Sequence, residues 1–300
     1  MKILLFGKNG QVGWELQRSL APLGELVALG HESKNLCGDL SDLEGIAQTI
    51  RTVAPDVIVN AAAYTAVDKA ESEPELARAI NTLAPGIISQ EADKLGAWLV
   101  HYSTDYVFDG SGEKLWLETD ATGPLSVYGA TKLQGERLIQ KSECRHLIFR
   151  TSWVYSARGG NFARTMLRLA QERDSLNVIN DQFGAPTGAD LLADVTAHAI
   201  RIVQQRKELT GVYHLVADGE TTWYGYANFV IDFARKAGIP LKATADSIKQ
   251  VPASAYPSAA KRPHNSRMDT AKLRNAFDLE LPLWQNGVTR MLTEVLDSGK

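Results

Sequence analysis

The first 155 residues alternate short, nearly continuous apolar runs with longer stretches of mixed polarity. The runs are "KILLFG" (2–7), "ELVALG" (25–30), "DVIVNAAA" (56–63), "AWLVHYST" (97–104) and "HLIFRTSWVY" (146–155). Runs of this kind suit strands covered on both faces, as in a parallel sheet. The stretches 11–20, 42–53, 75–95 and 125–141 carry the apolar spacing of helices. Strand and helix in regular alternation predict a Rossmann-type α/β fold, a doubly wound parallel sheet.

Beyond residue 155 the pattern loosens. Helices are predicted over 161–174, 189–206 and 221–238, the last stopped by Gly238, with strands over 176–181 and 212–216. The three prolines of "VPASAYPSAAKRPHNS" (251–266) mark a loop. The chain therefore divides into a dinucleotide-binding domain over 1–155 and a smaller, partly interleaved C-terminal α/β substrate domain over 156–300.

The glycines carry the first chemical signal. "GKNGQVG" places Gly7, Gly10 and Gly13 directly after the first strand, with Gln11 and Val12 opening the first helix. Glycine lets backbone amides approach a pyrophosphate, and a helix N-terminus adds favourable dipole charge. The alternative is a tight turn without a ligand; the position after a leading strand favours the dinucleotide. An acid at the end of the second strand commonly binds the adenosine ribose. Here Gly30 is followed by His31, Glu32 and Lys34, so Glu32 could take the ribose diol while His31 or Lys34 could face a 2′-phosphate. Asp39 and Leu40 in "GDL" could frame the adenine, or Asp39 could cap the next helix. Ala62 and Ala63 would let the chain pass close beneath a cofactor, with Tyr64 and Thr65 opening the next loop.

Bulk properties narrow the partners. With 22% charged residues and a net charge of −3, the chain has no field to recruit nucleic acid or an anionic membrane. The N-terminal apolar run breaks at Gly7, too short for a signal peptide, and no stretch is long enough to span a membrane. Cys37 and Cys144 are far apart and suit a reducing cytoplasm. The six histidines show no ligand spacing.

"SVYGATK" (126–132) sets Tyr128 and Lys132 four positions apart, on one face of a helix. As structure the pair gains little; as chemistry, a cation beside a phenol lowers its pKa. The spacing alone is common by chance. With "GKNGQVG", "GDL", "NAAAYT", "HYSTDYVF" and "YGATK" in this order, however, the chain resembles an extended short-chain dehydrogenase/reductase. "STDYVFDG", "RTSWVY", "VINDQFGAPTGADLL" and "RPHNSRMD" narrow the resemblance to the rhamnose-forming branch, over essentially the whole chain.

That resemblance implies reduction, by NADH or NADPH, of the C4 keto group of dTDP-4-dehydro-β-L-rhamnose. It implies that Tyr128 donates the proton, that Lys132 anchors the nicotinamide ribose, and that the Thr104 hydroxyl polarises the substrate carbonyl. It also implies magnesium, a homodimer, and a product destined for a polysaccharide such as O-antigen. Asp105 is read as an acceptor for a sugar hydroxyl or as a loop cap. Trp153 covers the sugar or packs in the core. Arg262 grips the diphosphate in a forked contact or is a solvated loop residue. Asn180, Asp181 and Gln182 are candidates to line the nucleotide-sugar cleft. Tyr64 stands where the family pattern has histidine, which leaves that side chain's role open. Two other readings compete: another nucleotide-sugar epimerase or dehydratase, with Asp105 as its acid, and a non-catalytic dinucleotide-binding regulatory subunit.

Overall fold

The computed structural model describes residues 1–297. Its first half runs β1 (Lys2–Phe6), α1 (Gln11–Leu20), β2 (Glu25–Leu29), α2 (Leu43–Val53), β3 (Val57–Asn60), α3 (Val67–Ala70), α4 (Pro74–Arg78), α5 (Ala84–Leu95), β4 (Trp98–Thr104), α6 (Val127–Lys141) and β5 (Arg145–Thr151). The chain continues through β6 (Val154–Tyr155), α7 (Phe162–Glu172), β7 (Leu176–Ile179), β8 (Phe183–Gly184), β9 (Thr187–Gly188), α8 (Ala189–Val203), β10 (Gly211–His214), β11 (Thr221–Thr222), α9 (Trp223–Lys236), β12 (Ile248–Val251), α10 (Ala271–Phe277) and α11 (Trp284–Asp297).

Six strands form one sheet in the order β10-β5-β4-β3-β1-β2, every neighbouring pair parallel. Helices cover both faces. On one side α1, α8 and α10 bury Leu16, Leu20, Leu192, Ala199, Leu273 and Phe277 against Ile3, Leu5, Val57 and Val59. On the other, α2, α5 and α6 bury Ile46, Ile50, Ile88, Ala92 and Ile139 against Leu4, Phe6 and Ile58. A separate core joins α7, α9 and α11 to β7 and β12 through Met166, Leu167, Val230, Ile231, Val288 and Ile248.

The chain reverses its direction across the sheet at β1, which has β2 on one side and β3 on the other. A crevice opens at such a switch point, beyond the carboxyl ends of the strands. The register aligns Phe6 with Asn60, Asn60 with His101 and Thr104 with Thr151. The segments that follow these strands therefore emerge along one edge.

Three predicted elements are corrected. The third strand stops at Asn60 and does not reach residue 63, because the Asn60 Oδ1 accepts the Ala62 N–H at 3.1 Å and turns the chain off the sheet. The fifth is interrupted at Ser152 and Trp153, the latter with φ +49, and β6 pairs instead with β9. The long helix over 75–95 contains a π-helical segment, Ala79–Leu83, whose Asn81 and Thr82 bond Thr131 of α6. The apolar spacing does not reveal the very short strands, β12, α10 or α11, which depend on contacts distant in sequence.

Helix α6 begins at Ser126, whose hydroxyl accepts the Gly129 N–H. Its inner face carries Glu136, which receives a forked pair of bonds from Arg150 of β5, Nε–Oε1 3.0 Å and Nη2–Oε2 2.7 Å. Both side chains are buried, and the guanidinium lies over the Phe108 ring. Breaking a buried pair strands a charge in low dielectric, whereas replacing both partners removes the desolvation penalty too. Glu136→Ala should therefore cost about 3–5 kcal/mol in denaturant unfolding, and Glu136→Leu with Arg150→Met should recover most of that.

Candidate active site

A cavity of about 620 Å³ follows the carboxyl edge of the sheet from the glycine loop to α6. At its first end are Gly7, Gly10, Gln11 and Val12. Gly7 has φ +89, and a Cβ there would lie 2.7 Å from the Ala62 nitrogen, so the two loops touch only because this residue is glycine. Gly13 differs from its expected role. A Cβ on it would lie 1.9 Å from the Gly7 carbonyl oxygen, and it does not line the cavity. Its task is to let α1 pack on the loop, not to meet a ligand.

Gly30, His31, Asp39 and Leu40 line the next part of the cavity, and Lys34 does not. Glu32 is held beside the glycine loop by Asn9 at 2.8 Å and faces Lys8 and His31 at 3.6 and 3.4 Å. Hydrogen bonds from its own backbone N–H and from Asn9 hold its carboxyl below the usual range. Asp39 is not a helix cap: α2 is capped by Asp42, while Asp39 accepts from the N–H and hydroxyl of Ser41.

Ala62, Ala63 and Thr65 line the cavity, but Tyr64 turns away. Its phenol donates to Glu73 at 2.6 Å, and its backbone N–H and carbonyl are both held by the Asn81 side chain. Asn81, which the sequence gives no reason to single out, thus sets the shape of this loop.

At the far end lie Thr104, Asp105, Tyr128, Lys132 and Trp153. The Tyr128 phenol is pushed up to about 12, mainly by burial and further by the Asp105 charge, with the Thr104 hydroxyl opposing. It carries its proton throughout the physiological range. Lys132 is not what sets this value, contrary to the expectation drawn from the spacing. Its long side chain reaches past the phenol into the sheet, where Nζ donates to the Tyr102 carbonyl at 2.6 Å and meets His101 Nε2 at 3.1 Å. Burial lowers Lys132 to about 8, with Glu136 acting in the opposite sense.

Thr104 donates to Asp105 at 3.0 Å, so in this arrangement its proton is not offered to a substrate carbonyl. The other Asp105 oxygen accepts from Ser266 at 2.5 Å. Both oxygens of Asp105 are thus engaged by protein hydroxyls, and burial pushes this carboxyl up to about 6.

Trp153 lines the cavity and stacks on Trp223, ring centroids 3.6 Å apart, so it belongs to a packed pair that also faces the open space. A second cavity of about 330 Å³ shares Tyr106, Trp153 and Trp223 with the first and continues past Phe162, Asn177, Gln182 and Arg262. Arg262 is paired with Asp68 at 2.6 Å on its rim. Asn180 and Asp181 do not line either space. Asn180 bonds Gln250 and Thr222, and Asp181 accepts the Ala253 N–H, so both fasten neighbouring segments. Tyr106, Phe162, Asn177, Trp223 and Ser266 are among the site residues that sequence reading missed. Among the described residues no three His, Cys, Asp or Glu side chains cluster as a metal site.

The RmlD substrate binding domain family matches residues 1–296. The chain is 61% identical over 295 residues to dTDP-4-dehydrorhamnose reductase of Escherichia coli strain K12, covering 98% of each chain. It is 62% identical to the enzyme of the same name from Salmonella typhimurium, again over 98% of each. The chain belongs to the dTDP-4-dehydrorhamnose reductase family. A crystal structure of the family's Bacillus anthracis member in complex with NADP superposes with a TM-score of 0.87 at 30% identity, covering 98% of this chain and 99% of that one. Membership favours the reductase over the epimerase, dehydratase and regulatory-subunit readings.

Asp105 gives the site a pH signature. A carboxyl raised from 3.8 to about 6 by folding contributes stability that is full below pH 3.8 and lost as pH rises through 6. Between pH 4 and 7 the native chain should lose about 2 kcal/mol relative to Asp105→Asn, in which the group does not titrate. Paired denaturant titrations across that range measure it; parallel curves would contradict the burial of an ionisable Asp105.

Proposed function

We propose that this chain catalyses the reaction of its family: reduction of the C4 keto group of dTDP-4-dehydro-β-L-rhamnose to dTDP-β-L-rhamnose, the last step of dTDP-L-rhamnose synthesis. The observation that carries the reading is a protonated, half-buried Tyr128 where the cleft along the glycine loop meets a second cavity. Gly7, Gly10, Gln11 and Val12 would receive the pyrophosphate, Gly30, Asp39 and Leu40 the adenosine, and Ala62, Ala63, Thr65 and Lys132 the nicotinamide half. The reduced nicotinamide supplies hydride to C4 of the sugar. Tyr128 then gives its hydroxyl proton to the C4 oxygen as negative charge develops there.

Trp153 would lie over the sugar, and the second cavity would take the nucleotide. Its mixture of aromatic rings with the Asn177 and Gln182 amides suits a base that must be both stacked and hydrogen-bonded. Arg262, on the rim, would exchange Asp68 for the diphosphate. Thr104 can donate to the substrate only by giving up its bond to Asp105, and a protonated Asp105 makes that exchange cheaper.

Either reduced dinucleotide fits this cleft. Glu32 can accept from ribose hydroxyls, and the neighbouring Lys8 and His31 offset its charge against a 2′-phosphate. Among the described residues no cluster of three His, Cys, Asp or Glu side chains fits magnesium. The homodimer is inferred from family likeness, as is a cytoplasmic location, which the two unpaired cysteines suit.

Tyr128→Phe should retain dinucleotide binding and lower turnover of dTDP-4-dehydro-β-L-rhamnose by about 10²–10⁴-fold. Rates with NADH and NADPH in the same assay measure what Glu32 selects. An undiminished rate in the mutant would overturn the assignment of the acid.

A further inference from the structure

Beneath the cleft, three side chains that are almost wholly buried, Asn60, His101 and Lys132, form a file across β3, β4 and α6. Their hydrogen positions can be deduced by following donors and acceptors in turn. The Ala62 N–H is a donor and points at the Asn60 side-chain oxygen, 3.1 Å away. That fixes the amide: its NH₂ group must face His101 Nδ1, at 3.2 Å. An NH₂ can only donate, so Nδ1 must be the bare, accepting nitrogen. The proton of a neutral imidazole then sits on Nε2, aimed at Lys132 Nζ, 3.1 Å away.

An ammonium group has three donors and no acceptor, whereas an amine has a lone pair. Only the amine satisfies the His101 N–H while still donating to the Tyr102 carbonyl. We propose that Asn60 and His101 are positioning residues that hold Lys132 as a neutral amine in the empty cleft, and that dinucleotide binding charges it. The second half follows from the diphosphate: an anion entering the cleft favours the ammonium, which then turns from His101 towards the ribose hydroxyls.

Of the charged groups around Lys132, Glu136 alone favours the ammonium, and its carboxylate is shared with Arg150 in a forked pair; burial keeps His101 uncharged. Tyr128 carries its proton, and Asp105 is held by two hydroxyls. Glu71 spends a carboxylate oxygen on the Val127 N–H at the start of α6. Burial already brings Lys132 to about 8. The His101 N–H adds a donor that only the amine can accept.

The consequence is a coupling between binding and chemistry. In the empty chain no cation lowers the Tyr128 phenol. Once the dinucleotide is bound, the newly formed ammonium stabilises the phenolate that proton transfer leaves behind. The acid is thereby armed by the cofactor that it serves.

The inference rests on the cofactor placement given above. Its test is calorimetric titration of NADH into the full chain at pH 8, in two buffers of different ionisation heat, which counts protons taken up on binding. The native chain should take up at least about half a proton per site, since a group near 8 is half protonated at this pH and the His101 donor lowers that fraction further. Asn60→Asp and His101→Gln should both bind with almost none. The aspartate forces the His101 proton onto Nδ1, and the glutamine offers its carbonyl oxygen, so each presents Lys132 with an acceptor and leaves it charged from the start. Binding to the native chain without proton uptake would overturn the proposal whatever the variants do, as would uptake that survives in both. Failure of NADH to bind the native chain would instead contradict the assignment of the cleft.

Discussion

Helix α6 is clamped to the sheet by two buried polar contacts, Lys132 to the Tyr102 carbonyl and Glu136 to Arg150. Much of the site follows from that clamp. It fixes the height and rotation of the helix over β4 and β5, and therefore where Tyr128, one turn before Lys132, meets the cavity. Hydrophobic burial supplies most of the driving force for packing but is non-directional. Directional bonds in low dielectric distinguish one docking of the helix from another, because a slip by one residue would leave these buried polar groups without their partners.

The same burial that makes these contacts stringent sets the chemistry. Low dielectric keeps the proton on Tyr128, raises Asp105 to about 6 and brings Lys132 down to about 8. The shifts run in opposite directions for acids and bases and have one cause, loss of solvation for the charged form. The buried Glu136 and Arg150 are matched to each other, whereas Asp105 and Lys132 have no ionic partner and are poised close enough to neutrality for a ligand to change their state.

The sheet and its order of elements were legible because continuous apolar runs alternating with helical spacing admit few other folds. The glycine loop and the Tyr128–Lys132 pair were legible too, each because a local backbone rule ties residue type to position. Less could be read where a role depends on a contact distant in the chain. Gly13 looks like a ligand glycine until the Gly7 carbonyl is seen against it. Lys132 looks like the partner of Tyr128 until its side chain is followed to His101, 31 residues earlier. Asn81 carries no motif, and Ser266 lies in "RPHNSRMD" without a role that the motif reveals; each acts through a partner at least 17 residues away.

In the proposed reaction hydride reaches the sugar at C4 while Tyr128 supplies the proton to its oxygen. The most direct measurement is a turnover with dinucleotide deuterated at C4 of the nicotinamide, followed by locating the label in the product. Deuterium bound to C4 of the dTDP-β-L-rhamnose formed is the result this account requires. Label at another carbon, or none in a product formed at full rate, would contradict it.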